Sequence, residues 1–240
     1  MGRWLVDLME ARPVFVLIFG LIGVGSLTPG LKLITSDFTH TGFFYDDDPM
    51  LEEFNAFERQ FGNDDSVILA VHSPSGIFDV DSATLIQELT EKMWLLPDII
   101  RVTSLANYSW VHAEEDDILV DPFLPDDIPL TQTLLDQRKS IALSHEVIPD
   151  YLVNQDADTA MLYAKLRPGI DAVVQAGPLV NAARDLAADM SKGDHTIFVS
   201  GGPAINTGFQ EATLNDLKRL VPILMGLIII TLLLALRSPL

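Results

Sequence analysis

Two apolar stretches without charged residues, one near each end of the chain, constrain the fold more than any other feature. Residues 13–31 and residues 220–236 contain no Asp, Glu, Lys or Arg. If residues 13–31 form a helix, that helix is about 28 Å long at 1.5 Å per residue, close to the roughly 30 Å thickness of the hydrocarbon core of a bilayer. We therefore predict transmembrane helices at 13–31 and 220–236, with one domain between them at 32–219.

The charge of the intervening segment excludes several classes of partner and site. Residues 32–219 carry 12 Lys and Arg against 32 Asp and Glu, a net charge of −20. Such an acidic segment does not bind DNA or RNA by neutralising phosphates, so we predict no nucleic-acid partner. The chain also lacks cysteine, which excludes a disulfide framework, a zinc–thiolate site and a thiol nucleophile.

The first apolar stretch has a second interpretation, because a cleaved signal peptide combines similar features. Arg3 and Arg12 precede the apolar run, and residues 23–25 are small, as at a cleavage site. The length of the run and the presence of a second one favour a retained span. Residues 1–12 then form a short N-terminal segment whose Trp4 and Leu8 lie at helical spacing, as in an interfacial helix.

The basic residues that flank the two stretches do not assign an orientation. Three lie on each side of the predicted membrane: Arg3, Arg12 and Arg237 on one, and Lys32, Lys218 and Arg219 on the other. The positive-inside rule needs an excess of Lys and Arg on one side, so charge alone leaves both orientations open.

The intervening segment has the pattern of an α+β domain. Four apolar runs bounded by turn residues predict strands at 66–72, 99–105, 159–166 and 195–200. One helix follows the first strand, opening at Asp81, with a stripe of Leu85, Leu89, Met93 and Leu96. Another starts near Pro178, with Leu179, Ala183, Leu186 and Met190. The order β-α-β, insertion, β-α-β predicts a ferredoxin-like split β-α-β domain with both helices on one face.

Two further helices and one irregular segment complete the prediction. Asp48 and Pro49 have the residue types of an N-cap and first helical position, and Gly62 ends an apolar stripe of phenylalanines. Residues 106–129 are acidic and are predicted to be irregular. Residues 131–143 are predicted to form a helix within the insertion.

No pattern of catalytic, metal-binding or cofactor-binding residues stands out. The five histidines are scattered, and no P-loop, dinucleotide fingerprint or nucleophile elbow is present. The acidic runs at 46–48 and 114–117 favour solvated loops and a helix cap over a calcium site, because the glycine and closing glutamate of an EF-hand loop are missing. We predict a protein that is not an enzyme and holds no cofactor.

The last forty residues carry the most specific pattern. A Gly-Pro turn at Gly202 and Pro203 leads through Asp216 and Pro222 into an apolar stretch that ends at Arg237 and Ser238. This resembles the entry into the second transmembrane helix of the resistance–nodulation–division (RND) superfamily, and within it the MMPL-type and hopanoid or lipid exporters. Leu236 departs from the phenylalanine that often precedes the arginine there.

The resemblance implies the N-terminal fragment of a proton-coupled exporter of lipids or other hydrophobic compounds. It implies a bacterial inner-membrane protein with a cytoplasmic segment at 1–12, an extracytoplasmic porter domain at 32–219, and the start of a cytoplasmic loop at 237–240. Expected partners are membrane lipids, a hydrophobic substrate, the remaining transmembrane helices that carry the proton-relay carboxylates, and further copies of the same chain in a homo-oligomer. The alternative is a membrane-anchored binding or scaffold module without transport.

Four residues are the candidates for coupling and hinge motion between domain and membrane: Gly201, Gly202, Asp216 and Pro222. Gly201 and Gly202, like residues 28–30, supply the backbone freedom that rocking domains need. Asp216, with Lys218 and Arg219, precedes the second apolar stretch, where charges avoid the bilayer centre. Pro222 is expected in the first turn of that span, where a missing N–H costs little.

Overall fold

Two units make up the chain, residues 1–37 and residues 38–240. The computed structural model describes residues 12–27, 30, 44–45, 47–62, 65–114, 117–167 and 176–236. The predictions for residues 1–11, 28–29 and 237–240 lie outside these ranges. Measured over the described residues alone, no helix combines the length and the apolar run that a bilayer crossing requires.

The first unit contains one described helix, α1, which spans Pro13–Leu27. The large side chains described in it are exposed, from 48% at Ile18 to 70% at Phe19. Phe15 and Phe19 lie one turn apart with ring centroids 6.4 Å from each other. The helix begins at Pro13, where the predicted span begins, and its described exposed side chains are apolar except for Ser26, whose hydroxyl donates to the Gly23 carbonyl at 2.7 Å.

The second unit contains a four-stranded antiparallel sheet with the strand order β2-β5-β1-β6. Its elements in chain order are α2 Pro49–Phe61, β1 Ser66–His72, α3 Val80–Met93, β2 Ile99–Thr103, β3 Ser109–Glu114, β4 Asp117–Pro122, α4 Gln132–Ser144, β5 Thr159–Leu166, α5 Ala176–Met190, β6 Thr196–Ser200 and α6 Gly202–Leu236. This order and pairing confirm the predicted split β-α-β domain.

The core lies between the sheet and the two helices α3 and α5. Alternate residues of the central strand β1 are fully buried, namely Val67, Leu69 and Val71. They pack with Leu89 and Met93 of α3, and with α5 residues such as Leu179, Val180 and Ala183. Leu85 and Leu186 pack at the edge of this cluster. The helix stripes were thus predicted nearly correctly. Helix α3 begins at Val80 with Asp79 as its N-cap, and it also buries Ile86, which packs in a second cluster on another side of the helix.

The prediction that residues 106–129 are irregular is wrong. They contain the hairpin β3–β4, in which Val111 pairs with Val120 and Ala113 with Ile118. Val111, Ile118 and Val120 are 60–77% exposed. The inner face carries Trp110, which packs against a second buried cluster between the hairpin, α3 and α4. An apolar ladder on the solvent side obscures the alternation by which a half-buried strand is recognised.

Helix α2 has the predicted ends but not a buried face. The Asp48 side chain accepts a hydrogen bond from Met50 N at 2.8 Å, Pro49 is the first helical residue, and Gly62 ends the helix at φ 85°. None of its side chains is buried, and Phe57 and Phe61 are 58% and 66% exposed. The predicted apolar stripe is therefore present, but Phe57 and Phe61 lie largely exposed instead of being part of the core.

Helix α6 is continuous over 35 residues and contains Pro222 in its interior. Pro222 does not start a helix, as the reason given for its position in the first turn of the predicted span requires, because the helix begins twenty residues earlier at Gly202. Proline lacks the N–H that would bond to the carbonyl of Lys218, so one interior hydrogen bond is missing. The predicted boundary between domain and span at 219/220 falls within this helix.

Candidate functional site at the junction between sheet and long helix

The junction between the sheet and α6 is formed by Gly201, which follows the last strand directly. Gly201 has φ +100°, a backbone conformation that residues other than glycine rarely adopt. A Cβ atom there would overlap the carbonyl oxygen of Ser66 at the start of β1 and lie 3.3 Å from Ile68 N. The backbone of Gly201 is therefore packed against the central strand, and only glycine fits.

The next residue, Gly202, begins α6 beside the same strand. A Cβ atom at Gly202 would lie 3.2 Å from the Asp65 side-chain oxygen Oδ1, at the approach to β1. The carbonyl of Gly201 accepts the first helical hydrogen bond, from Ile205 N at 3.0 Å. The predicted pair of glycines thus forms a close joint between β1, β6 and α6, while its role as a hinge stays a prediction.

A salt bridge ties the first half of α6 to the helix that covers the sheet. Arg184 Nη1 of α5 donates to Glu211 Oε1 of α6 at 2.7 Å. Both side chains are partly exposed, at 38% and 48%, so the pair contributes about 0.2–1 kcal/mol to stability. The pair links α5 to the first half of α6.

The other two predicted coupling residues lie further along α6. Asp216 is exposed, and within the described part of the chain its carboxylate makes no hydrogen bond or ion pair. Pro222 follows after one and a half turns and is also exposed. The structure therefore brings Gly201 and Gly202 together at the sheet, and it places Asp216 and Pro222 away from them on the same helix.

The four described histidines have structural surroundings. His195 Nε2 lies 2.8 Å from Ser82 Oγ, but Ser82 is fully buried and its hydroxyl donates to Asp79 Oδ2 at 2.7 Å. A serine that donates to a carboxylate has no proton to give a histidine base, so this contact stabilises the start of α3. His72 lies 3.1 Å from Thr159 Oγ1, and His112 stacks on Trp110 at 3.8 Å.

The acidic residues of the domain show no arrangement typical of a metal site where the structure describes them, and Asp158 interacts with its neighbours in the chain and with His72. Hydrogen bonds from Thr159 and Asn154 lower the pKa of the Asp158 carboxyl, and His72 lowers it further. Asp46, Glu115 and Asp116, from the two acidic runs, lie outside the described residues. Among the residues that the structure describes, no group of three or more His, Asp or Glu side chains is arranged to hold a metal ion.

Comparison with protein families decides how this arrangement is interpreted. Residues 58–240 match the MMPL family, a stretch that runs from the end of α2 through the whole of α6. The chain belongs to the MMPL family. Members of this family are transporters of the RND type. The family resemblance inferred from the last forty residues is thereby confirmed, and no curated protein matches the chain.

In this MMPL protein, the contact that sequence inspection missed is the one between Arg184 and Glu211. Glu211 lies within the stretch that carries the family resemblance, between Gly202 and Asp216, yet nothing in the sequence indicates its partner 27 residues earlier. Only the packing of α5 along α6 brings the two together. The carboxylate of α6 that contacts the rest of the domain is therefore that of Glu211, one turn and a half before Asp216.

Proposed function

We propose that this MMPL protein is the N-terminal part of a proton-coupled exporter that moves lipids or other hydrophobic compounds across a bacterial inner membrane. The observation that carries the proposal is α6, one helix that begins on the sheet of the domain and ends in an apolar surface. From Leu220 to Leu234 its described large apolar side chains are 48–73% exposed. Leaving so much apolar area in water costs about 25 cal/mol per Å², whereas lipid would cover it without cost.

In this proposal α1 and residues 220–236 cross the membrane, and residues 32–219 lie outside the cytoplasm. Residues 220–236 contain no titratable side chain. The carboxylates that relay protons must then come from the remaining transmembrane helices of the full-length protein. Motion of those helices would reach the sheet through α6, with the Gly201 joint and the Arg184–Glu211 salt bridge setting the angle of the domain.

The proposed topology predicts which positions react with a thiol reagent from outside the cytoplasm. The chain has no cysteine, so single replacements can be labelled without background. Asp156→Cys, at an exposed position of the domain, should react in intact cells with a maleimide that does not cross the inner membrane. Ser238→Cys should react only after permeabilisation. The opposite pattern would overturn both the orientation and the porter-domain assignment.

The proposed transport predicts a specific defect when Asp216 is replaced in the full-length protein. In proteoliposomes, transport of a fluorescent lipid analogue should follow an imposed proton gradient and stop when an ionophore collapses it. Asp216→Ala should reduce transport about fivefold, which corresponds to a coupling energy of ~1 kcal/mol, without changing membrane insertion. The physical reason is that Asp216 is exposed and unpaired in the domain, so its partner must lie elsewhere.

The matched control for that experiment is Asp189→Ala, which removes an exposed carboxylate from α5 instead of α6. It should leave transport unchanged. Equal transport by Asp216→Ala and the unmodified protein would exclude a coupling role for this residue. Transport that ignores the proton gradient would contradict proton coupling, whatever Asp216 does.

A further inference from the structure

A cleft of about 760 Å³ opens on the face of the sheet opposite α3 and α5. Its floor is formed by β2 and β5, and its walls by aromatic side chains, among them Trp94, Tyr108, Tyr151 and Tyr163. The volume falls in the range of small-molecule sites. A cleft that combines this volume with aromatic walls has the properties expected of a ligand site.

Two basic residues face each other across the floor of this cleft. Arg101 of β2 is directly opposite Lys165 of β5 in the strand register. Like charges directly opposite each other destabilise a sheet, so an anion bound beside this pair would reduce the repulsion. In a domain with a net charge of −20, such a local concentration of positive charge stands out.

A β-bulge produces this pairing. Ile99 is opposite Leu166, and the next pair is Arg101 with Lys165, so Ile100 is the extra residue. Without the bulge, Ile100 would be the residue opposite Lys165. Bulges commonly redirect a side chain next to a functional site. Here the bulge brings Arg101 rather than an isoleucine onto the floor of the cleft.

The two cations are not equivalent. Arg101 is exposed, and its guanidinium makes no hydrogen bond or ion pair within the described residues. Lys165 already has an interaction of its own within the chain. Arg101 also has the planar, forked arrangement of donors that binds two oxygens of an oxyanion at once. Most of the affinity for an anion should therefore come from Arg101.

The aromatic wall is rigid and partly apolar. The rings of Tyr151 and Tyr163 stack with centroids 4.8 Å apart, and Tyr163 Oη donates to the Tyr151 carbonyl at 3.0 Å. Burial and the neighbouring Tyr151 raise the pKa of Tyr163, so its hydroxyl remains a donor at neutral pH. Trp94, 46% exposed, adds a flat apolar surface at the edge of the cleft.

We propose that this cleft binds an amphiphile with an anionic phosphate or carboxylate headgroup. Arg101, assisted by Lys165, contacts the headgroup, and Trp94 with the tyrosine rings contacts the apolar chain. The proposal concerns binding by the domain alone. It therefore holds or fails independently of membrane insertion and of transport.

The test uses the complete 240-residue chain in neutral maltoside detergent and isothermal titration calorimetry. The probe is octyl phosphate, with inorganic phosphate and octyl glucoside as the anion-only and apolar-only ligands. Octyl phosphate should bind saturably and more tightly than either. Arg101→Gln should weaken that binding by about tenfold or more, the effect of losing one charge-assisted contact. Arg101→Lys, which keeps the charge but not the forked pair of donors, should weaken it less than Arg101→Gln does.

The matched control is Lys192→Gln, which removes one exposed positive charge in a different cavity, beside His195. It should leave the affinity for octyl phosphate unchanged. Equal weakening by Lys192→Gln would show a general charge effect and overturn the site. Absence of saturable binding would overturn it as well. Inorganic phosphate or octyl glucoside binding as tightly as octyl phosphate would overturn the assignment of an amphiphile.

Discussion

Leu69→Asp is expected to unfold the domain, the largest effect that we predict for a single substitution. Leu69 is fully buried in the central strand β1, between β5 and β6 and beneath α3 and α5. The change removes a core side chain, at about 2–5 kcal/mol, and buries a carboxylate without a partner, at several kcal/mol more. The sum approaches the roughly 5–15 kcal/mol by which a domain is stable.

Circular dichroism and limited proteolysis of the 240-residue chain measure this effect. The matched control is Phe198→Asp, which also places a carboxylate on a strand of the same sheet. Phe198 is 56% exposed on the face away from the helices, so its substitution should cost only about 0.5–1 kcal/mol. A folded Leu69→Asp chain would show that β1 is misplaced, and unfolding of both variants would show that the loss does not depend on burial of the substituted position.

Gly201→Ala is expected to have the second largest effect. The positive φ costs about 1–2 kcal/mol for any L-residue with a Cβ, and the overlap with the Ser66 carbonyl adds about 1–3 kcal/mol because backbone cannot move aside easily. A loss of this size lowers the thermal midpoint of a domain of this length by roughly 10 °C. The same loss of stability should appear as faster hydrogen exchange of the backbone amides of β1.

The chain supplies a matched control in Gly208, seven residues further along. A Cβ atom there would meet nothing within 4 Å, and the residue lies inside α6. Gly208→Ala should therefore stabilise the chain by about 0.5–1 kcal/mol, through helix propensity. An unchanged midpoint for Gly201→Ala would contradict the close packing of the joint against β1.

The ends of an element could be predicted from the sequence where they are determined by neighbouring residues in the chain. Strands β1 and β5 begin and end where predicted, because each is an apolar run between turn residues. Helix α2 was also bounded correctly, because Asp48 and Gly62 determine its ends locally. The continuity of α6 was not predicted, since Pro222 is a local signal for a helix start.

The parts that depend on long-range pairing could not be predicted. Arg101 and Lys165 are far apart in sequence, and only the strand order and a bulge place them opposite each other. The crowding at Gly201 depends in the same way on the carbonyl of Ser66. A Gly-Gly-Pro sequence indicates a turn, but it does not reveal which backbone atom lies beside it.

Helix α6 is continuous from Gly202, so its first half is stiff and tilts as one body. A tilt at its start therefore displaces its far end in proportion to its length. Its 35 residues span about 52 Å, and a tilt of about 5° moves the far end by roughly 4–5 Å. In the proposed coupling, α6 would pivot at the closely packed Gly201 and bend at Pro222, where one interior hydrogen bond is missing. A bend at Pro222 would leave the sheet in place, whereas a tilt of the whole of α6 would rotate the domain with it.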